Sequence, residues 1–493
     1  MLSRRNGRRK AVDIRQALEH WKAIRPGRKF GVVALLAAPI VLTGAMIAWF
    51  FAMHGSLGFY RVMDSARAVI NGMAVLGVAL PVIAAALLIM KWSKGGEKSG
   101  STGLLTGAAW TLVAIGILLP GIMMAGFGVI PTMSAGDKQP LLLVSGRQGS
   151  GGVPDMAVTY WTENPRADTF NWGETSTDRV IKESNATSSH VFMMRDLRPG
   201  GTYSYRINGG RPVTFRAPPV TGKLHFAVSS DPHYGANASR NDLTEKMLAE
   251  IAKPSNDFDM FFTLGDQVQL GFLDENWRKA LKGLSPVASR IPYRPLVGNH
   301  DTLLGGLQLY KRYCFPPGLA QGGGTDLYQR VDLGNVHLFL LDVEWGTESF
   351  NADQQAWLKR ELARVPAGDW KIVLDHCFFY SSGSVLDGWP WYDDTQTIDA
   401  LTPIFIKDRV DLVLSGHNHE IELLSKSGIT YAVIGAFGGK PEPPPTHISP
   451  ESIWRTPVHY GMLDVTVDGG RLDLVVRDAG FKAIHSITLA KPR

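Results

Sequence analysis

Gly298-Asn299-His300-Asp301 closes the apolar segment Tyr293 to Val297, and that ending decides how the rest of the chain is read. A short apolar run that stops at a glycine reads as a buried strand, and chemistry gathers on the loops that leave such strands. Asparagine and histidine side by side at the turn can offer one oxygen to a metal and one imidazole to a substrate, with Asp301 placed to hold the ring. Four more fragments have the same form. Leu224 to Val228 runs into Asp231-Pro232-His233, Met260 to Leu264 into Gly265-Asp266, Lys371 to Leu374 into His376, and Leu412 to Leu414 into Ser415-Gly416-His417-Asn418-His419. Helical stretches alternate with these strands, the pattern of an α/β layered domain whose strand-end loops converge on one edge of a sheet.

Oxygen and nitrogen ligands without thiolate suit Mn, Fe or Zn, and one carboxylate lying between two cations can bridge them at roughly 3.5 to 4 Å. Asp266 is the natural bridge. Two such cations lower the pKa of a shared water toward neutrality, and the hydroxide so formed attacks phosphorus in line. Glycines at 265, 298 and 416 let the backbone approach closely.

The ordered set DxH, GD, GNHD, H and GHxH over residues 223 to about 440 resembles the calcineurin-like metallophosphoesterase superfamily. The resemblance implies a four-layer α/β/β/α sandwich over residues 223–493. It also implies two divalent or mixed-valence metal ions (Fe, Mn or Zn), one held by Asp231, His233, Asp266 and His419, the other by Asp266, Asn299, His376 and His417. His300 would contact phosphate and protonate the leaving oxygen, with Asp301 orienting it. The remaining histidines His225, His337, His447, His459 and His485 read as surface or satisfied core residues.

Ahead of this region, Leu141 to Val144, Met156 to Trp161, His190 to Met194, Thr202 to Ile207 and Val213 to Phe215 alternate at sandwich-like intervals. The stretch Leu197-Arg198-Pro199-Gly200-Gly201-Thr202-Tyr203-Ser204-Tyr205 resembles the fibronectin type III signature that precedes the catalytic domain of purple acid phosphatases. Residues 139–218 fit that all-β module. Asp342 in Leu340-Leu341-Asp342 and the pattern Gln355-Ala356-Trp357-Leu358 resemble the same branch. Three positions depart from it. Gln269 stands where the branch places a tyrosine, His233 completes a DxH in place of DxG, and Phe378 replaces the proline of HxP. Without the tyrosine, an Fe(III) charge-transfer colour is not implied. Tyr460 to Leu489, around Asp468-Gly469-Gly470, reads as a closing hairpin.

The N-terminal part is of another kind. Residues 1–29 hold ten Lys/Arg against Asp13 and Glu19, a charge of +8, so the formal +6 of the whole chain leaves −2 for the rest. That asymmetry points to a basic tail on an anionic membrane surface, and no nucleic-acid-binding surface is expected. Ala11 to Ile24 reads as a short interfacial helix through Ile14, Leu18 and Trp21. Phe30 to Met53, Ala68 to Met90 and Leu104 to Ile130 contain no charged residue, and each is long enough to cross a bilayer. Residues 30–130 are therefore expected to be a three-helix transmembrane anchor. With Lys91, Lys94 and Lys98 in one loop against Arg61 and Arg67 in the other, the N-terminus falls in the cytoplasm and everything after Ile130 is extracytoplasmic. Cys314 and Cys377 read as unpaired buried thiols, and Asn185 and Asn237 match glycosylation acceptors.

The expectation is a membrane-anchored, outward-facing, binuclear metal-dependent phosphoesterase acting on a phosphate-ester substrate. One alternative keeps the chemistry with a lipid-linked phosphate or pyrophosphate substrate. Another, of a different class, is a non-catalytic surface binding protein, which the loss of a ligand would have favoured; none is lost.

Overall fold

The computed structural model describes residues 13–54, 64–93, 100–129, 135–317, 319, 327–386, 388–456 and 459–491. Residues 1–12 of the basic tail, together with Arg61, Lys94, Lys98 and Ile130, lie outside the described residues. Two compact units divide the chain at Val129.

Among its described residues the first unit has four helices: α1 (Ile14–Ala23), α2 (Pro26–His54), α3 (Asp64–Ser93) and α4 (Gly100–Val129). Asp13 caps α1, accepting from the backbone N–H of Arg15 and Gln16. Trp21 of α1 packs on Trp92 of α3 at 5.5 Å between ring centres. The other three helices are long and apolar enough to cross a membrane, over Pro26–Ala48, Gly72–Ser93 and Gly103–Met123. They approach through small residues: Gly77 backs onto Thr43, and Gly116 onto Pro39.

The second unit begins with β1 (Lys138–Gln148), β2 (Pro154–Arg166), β3 (Thr169–Gly173), β4 (Arg179–Lys182), β5 (Thr187–Met194), β6 (Thr202–Ile207) and β7 (Val213–Arg216). The short β3 and β4 are absent from the sequence reading, because only Phe170, Trp172, Val180 and Ile181 mark them as apolar. Strands β4-β3-β6-β7 form one antiparallel sheet, which faces β1, β2 and β5 across a core containing Leu142, Met156, Phe170, Phe192, Tyr205 and Phe215. The second layer of this module is not independent. β1 pairs in parallel with β10 (Tyr293–Pro295) through Leu143 and Tyr293, so three of its strands extend a larger nine-stranded sheet.

With β20 (Gly461–Asp468), β21 (Arg471–Asp478) and β22 (Ala483–Ala490) on one side of β8 (Lys223–Ser229) and β9 (Met260–Thr263), that larger sheet runs β22-β21-β20-β8-β9-β10-β1-β2-β5, and β8, β9 and β10 are parallel at its centre. A seven-stranded sheet lies against it in the order β11-β12-β13-β16-β18-β17-β19. Its strands are β11 (Gln329–Leu333), β12 (Val336–Leu340), β13 (Trp370–Leu374), β16 (Leu412–Ser415), β17 (Ile421–Lys426), β18 (Ile429–Ile434) and β19 (Ser452–Arg455). A two-stranded ribbon, β14 (Ser384–Leu386) and β15 (Trp389–Trp391), stands apart from both. Between the large sheets, Phe226, Phe262, Leu338, Leu374, Leu414 and Val465 belong to one continuous core. Such strands are apolar on both faces because helices cover the outer sides. The helix α6 (Asp274–Ala288) buries Trp277, Ala280, Leu281 and Leu284 at helical spacing on the first sheet, joined there by α5 (Asn241–Ile251). On the second sheet lie α9 (Ala352–Ala363), capped by Asn351, and α10 (Thr395–Asp408), capped by Asp394. The result is four layers, α/β/β/α. Between α6 and α9 come two shorter helices, α7 (Asn299–Thr302) and α8 (Leu307–Cys314).

The C-terminal segment is a three-stranded meander rather than a two-run hairpin: β20 (Gly461–Asp468), β21 (Arg471–Asp478) and β22 (Ala483–Ala490), with β20 antiparallel to β8. A second turn at Gly480, beside Phe481 at φ 66°, makes the extra strand.

Candidate metal centre

Five loops leave the C-terminal ends of parallel strands and meet, but they come from two sheets rather than one edge. β8, β9 and β10 deliver Asp231 and His233, Asp266, and Asn299 and His300; β13 and β16 of the second sheet deliver His376, and His417 and His419. The turns are sharp. Asp231, His233, Asp266 and His417 all have left-handed backbone, with φ from 46° to 67°. Asp and His tolerate that region better than other residues with a Cβ, and strain of this kind gathers at functional sites. Two glycines make room: a Cβ on Gly298 would collide with the backbone N and Oδ1 of Asp266, and one on Gly416 with Ser230 and Asp231.

The seven side chains converge as two groups that share Asp266. Asp231, His233 and His419 lie together, with His233 Nε2 also 3.4 Å from Asp266 Oδ2. Asp266, His376 and His417 form the other group, and Asn299 Oδ1 is 2.9 Å from His376 Nε2. Asp231 and Asp266 are buried, as are Asn299 and His376. His300 stands beside both, its Nε2 4.0 Å from Asp266 Oδ2.

The hydrogen bonds around these rings set which nitrogen carries a lone pair. Nδ1 of His233, His419 and His376 donates to Gln269 Oε1 (3.0 Å), Lys440 O (2.6 Å) and Leu264 O (2.9 Å). In the neutral rings Nε2 is then an acceptor. Yet Nε2 of His233 faces Nε2 of His419 at 3.0 Å, and Nε2 of His376 faces Nδ1 of His417 at 3.1 Å. Among the described residues, buried Asp231 Oδ1 has no hydrogen-bond partner, and neither does Asn299 Nδ2. Ring nitrogens that face one another in this way need a proton or a cation between them, and nitrogen and oxygen donors gathered about one shared carboxylate fit a pair of cations. Buried carboxylates draw that positive charge onto the rings. Burial works against a charged His376, but Asp266 and Asp231 outweigh it and raise its pKa to about 10. Against the same burial, Asp231 raises His419 to about 9. Asp266 is driven below the ordinary carboxylate range by His376 and His300 despite its own burial. Burial lowers His300 to about 4.

Asp301 does not hold the His300 ring. Its carboxylate accepts from the backbone N–H of Gly298 (3.1 Å) and Val268 (3.2 Å), tying the β9 and β10 loops together, while His300 Nδ1 donates to the carbonyl of Gln269 at 2.7 Å. An acid one residue after a histidine is well placed in sequence, but the short helix α7 turns it the other way, into the backbone of its own N-terminus.

Other neighbours carry no motif. Trp345 and Trp391 each stand 4.8 Å from the His417 ring, and Phe378 stacks on it at 5.8 Å. Asn418, between the two histidines of its loop, donates to Ser381 Oγ (2.6 Å) and Ser382 O (3.0 Å) and so pins that loop from beneath. The histidines set aside in sequence have ordinary partners: His225 pairs with Asp464, His337 with Asp332 and Asp369, and His447 with Asp393, while His485 stacks on Trp454. Cys314 and Cys377 are free and buried.

Residues 224–420 match the calcineurin-like phosphoesterase family. Purple acid phosphatase 22 of Arabidopsis thaliana is 26% identical over 282 residues, which cover 54% of this chain and 61% of that protein. From the same organism, Fe(3+)-Zn(2+) purple acid phosphatase 12 is 22% identical over 310 residues, covering 57% and 61%. The chain thus spans about three fifths of the length of these relatives. Among solved structures, the purple acid phosphatase PPD1 of yellow lupin seeds (Lupinus luteus) superposes with a TM-score of 0.60 at 16% identity, covering 72% of this chain and 74% of that one, a likeness of fold. Residues 224–420 are a calcineurin-like metallophosphoesterase domain, and its relatives include purple acid phosphatases.

Proposed function

We propose that the chain is a two-metal phosphoesterase, held in a membrane by α2, α3 and α4, that hydrolyses phosphate esters on the extracytoplasmic side. One observation carries the reading: buried imidazole nitrogens face one another in pairs on both sides of the shared carboxylate Asp266. Asp231, His233, Asp266 and His419 would hold one ion and Asp266, Asn299, His376 and His417 the other. When bound, such a pair supplies Lewis acidity toward phosphate oxygens and a nucleophile drawn from water near neutral pH. Fe, Mn and Zn all suit these donors.

The remaining work falls to the chain itself. His300 presents Nε2 toward the shared carboxylate, with Nδ1 committed to Gln269, so a proton on this residue is held or released at Nε2. With its pKa lowered by burial, His300 stays neutral at pH 7 until a phosphate brings negative charge beside it, and a leaving oxygen then draws the proton from the same nitrogen. The tryptophans and Phe378 exclude water from the His417 side. We read residues 139–218 as a fibronectin type III-like module fused to the catalytic sheet, a wall rather than a source of chemistry. The membrane placement is supported by three long apolar helices and by the lysines and arginines crowded before the first of them.

Hydrolysis of chromogenic phosphate mono- and diesters and of a lipid phosphate by the full chain in detergent, with Mn, Fe or Zn added, tests the reading beside Asn299→Ala. Metal-dependent turnover lost in the variant is the expected result. A chain that binds no metal under any of these conditions overturns it.

A further inference from the structure

Gln269 makes two hydrogen bonds to the centre, from two different parts of the same residue. Its side-chain Oε1 accepts from Nδ1 of His233 at 3.0 Å, and its backbone carbonyl accepts from Nδ1 of His300 at 2.7 Å. His233 arrives on the loop after β8 and His300 on the loop after β10, so one residue on the β9 loop holds a ring from each flanking strand. Gln269 is itself fixed. Its N–H donates to Tyr234 O at 3.0 Å, Tyr234 N–H donates to Gln267 O at 3.0 Å, and Tyr234 bridges Val268 in strand fashion.

The outcome is that two imidazoles turn the same atom to the same place. Nε2 of His233 lies 3.4 Å and Nε2 of His300 4.0 Å from Asp266 Oδ2, with the rings edge to face at 4.6 Å. A histidine whose Nδ1–H is committed to an acceptor has its lone pair on Nε2, and that commitment also fixes the plane of the ring. Either ring flipped about its Cβ–Cγ bond would point a carbon at Asp266 instead.

We propose that Gln269 is the positioning residue of this centre: its side chain sets His233 for metal ligation, and its carbonyl sets His300 for the phosphate. The proposal rests on the two-metal reading for the role of His233, though the orientation of the ring can be read without metal. The two tasks are separable, because a substitution at 269 removes the side-chain oxygen and leaves the carbonyl in place. Gln269→Leu keeps the bulk and deletes the acceptor; Gln269→Glu keeps an acceptor.

The test uses the full chain in detergent, with a thermal melt to establish that each variant folds. Zinc affinity is measured by competition with a chelating dye, and histidine ring tautomers are read from ¹⁵N shifts of the metal-free chain. Gln269→Leu is expected to weaken one of two zinc sites by roughly 10- to 100-fold, the usual cost of losing the partner that orients a ligand histidine. In the same variant His233 should lose its Nδ1–H signature and His300 should keep its own, while Gln269→Glu should restore the zinc site. Two zinc sites of wild-type affinity in Gln269→Leu would overturn the proposal. If even the wild type binds no zinc, the two-metal reading fails, and the tautomers then decide alone: an unchanged His233 signature in Gln269→Leu overturns the positioning role, and its loss upholds it.

Discussion

His233 and His419 meet nitrogen to nitrogen, Nε2 to Nε2, at 3.0 Å, each with its other nitrogen tied to a carbonyl oxygen. Two nitrogens so placed hold a proton or a metal ion between them, and a metal ion that binds only the folded chain stabilises it. Adding Zn or Mn to the metal-free chain should therefore raise its melting temperature; at ~100 times the dissociation constant the gain is about 2.7 kcal/mol per site. A melt unchanged by metal would contradict the pairing.

Asp266 touches both groups of candidate ligands, so Asp266→Ala should differ from His419→Ala in stoichiometry. The first is expected to lose both ions and the second only one, with affinity falling by more than the ~100-fold that an outer partner can account for. Metal content per chain, measured by elemental analysis after dialysis, distinguishes the two.

Gly298→Ala is a steric probe with no change of charge. The backbone there, at φ −118° and ψ 172°, suits any residue, but the new methyl group would meet Asp266. The variant should fold, by circular dichroism, and fail to hold metal. Normal metal content would mean that the β9 loop yields more easily than its hydrogen bonds suggest.

Burial raises the carboxyl of Asp342 to about 7, well above its value in an unfolded chain near 4. The folded state therefore keeps its proton longer than the unfolded state does. That contribution to stability is fully present below about pH 4 and is lost as pH rises toward 7. Asp342→Asn should flatten this part of the curve of urea midpoint against pH; an unaltered slope would assign the dependence elsewhere.

Trp277 is fully buried, and its Nε1–H donates to Gly271 O at 2.7 Å, while Gly271 N–H donates to His300 O at 2.9 Å. Trp277→Ala should cost ~3–5 kcal/mol by opening a cavity. Trp277→Phe keeps most of the packing and should cost about 1 kcal/mol for the lost bond. Denaturant unfolding measures both, and equal losses would mean that the hydrogen bond, not the packing, dominates.

The candidate site was legible because each of its loops follows a mostly apolar run of three to five residues, a local pattern that needs no knowledge of the partners. What stayed hidden depends on distance in sequence. Gln269 could be seen to differ from a tyrosine, but not that its two oxygens reach residues 36 before and 31 after it. Trp345 and Trp391 belong to no motif and reach His417 only through folding. Asp301 was misjudged because spacing alone cannot tell whether a side chain turns toward a neighbouring ring or toward its own backbone. In the N-terminal module, alternation marked the strands, yet a strand that alternates fits either a closed sandwich or a shared sheet. Only the pairing of Leu143 with Tyr293 separates the two.

The pairing of β20 with β8, from Asp468 opposite Lys223 to Leu463 opposite Val228, sets a timetable for the nascent chain. The strand that carries Asp231 and His233 gains its second neighbour only when residues about 240 positions later have been made. Until then its edge hydrogen-bonding groups are unpaired, and every residue of the candidate centre has been made while the nine-stranded sheet is unfinished on one side. Synthesis therefore completes the residues of the candidate centre well before it completes the platform. A ribosome stalled after Lys440 would hold a chain with all of its ligands and an open strand edge beside two of them, a state that favours aggregation over folding.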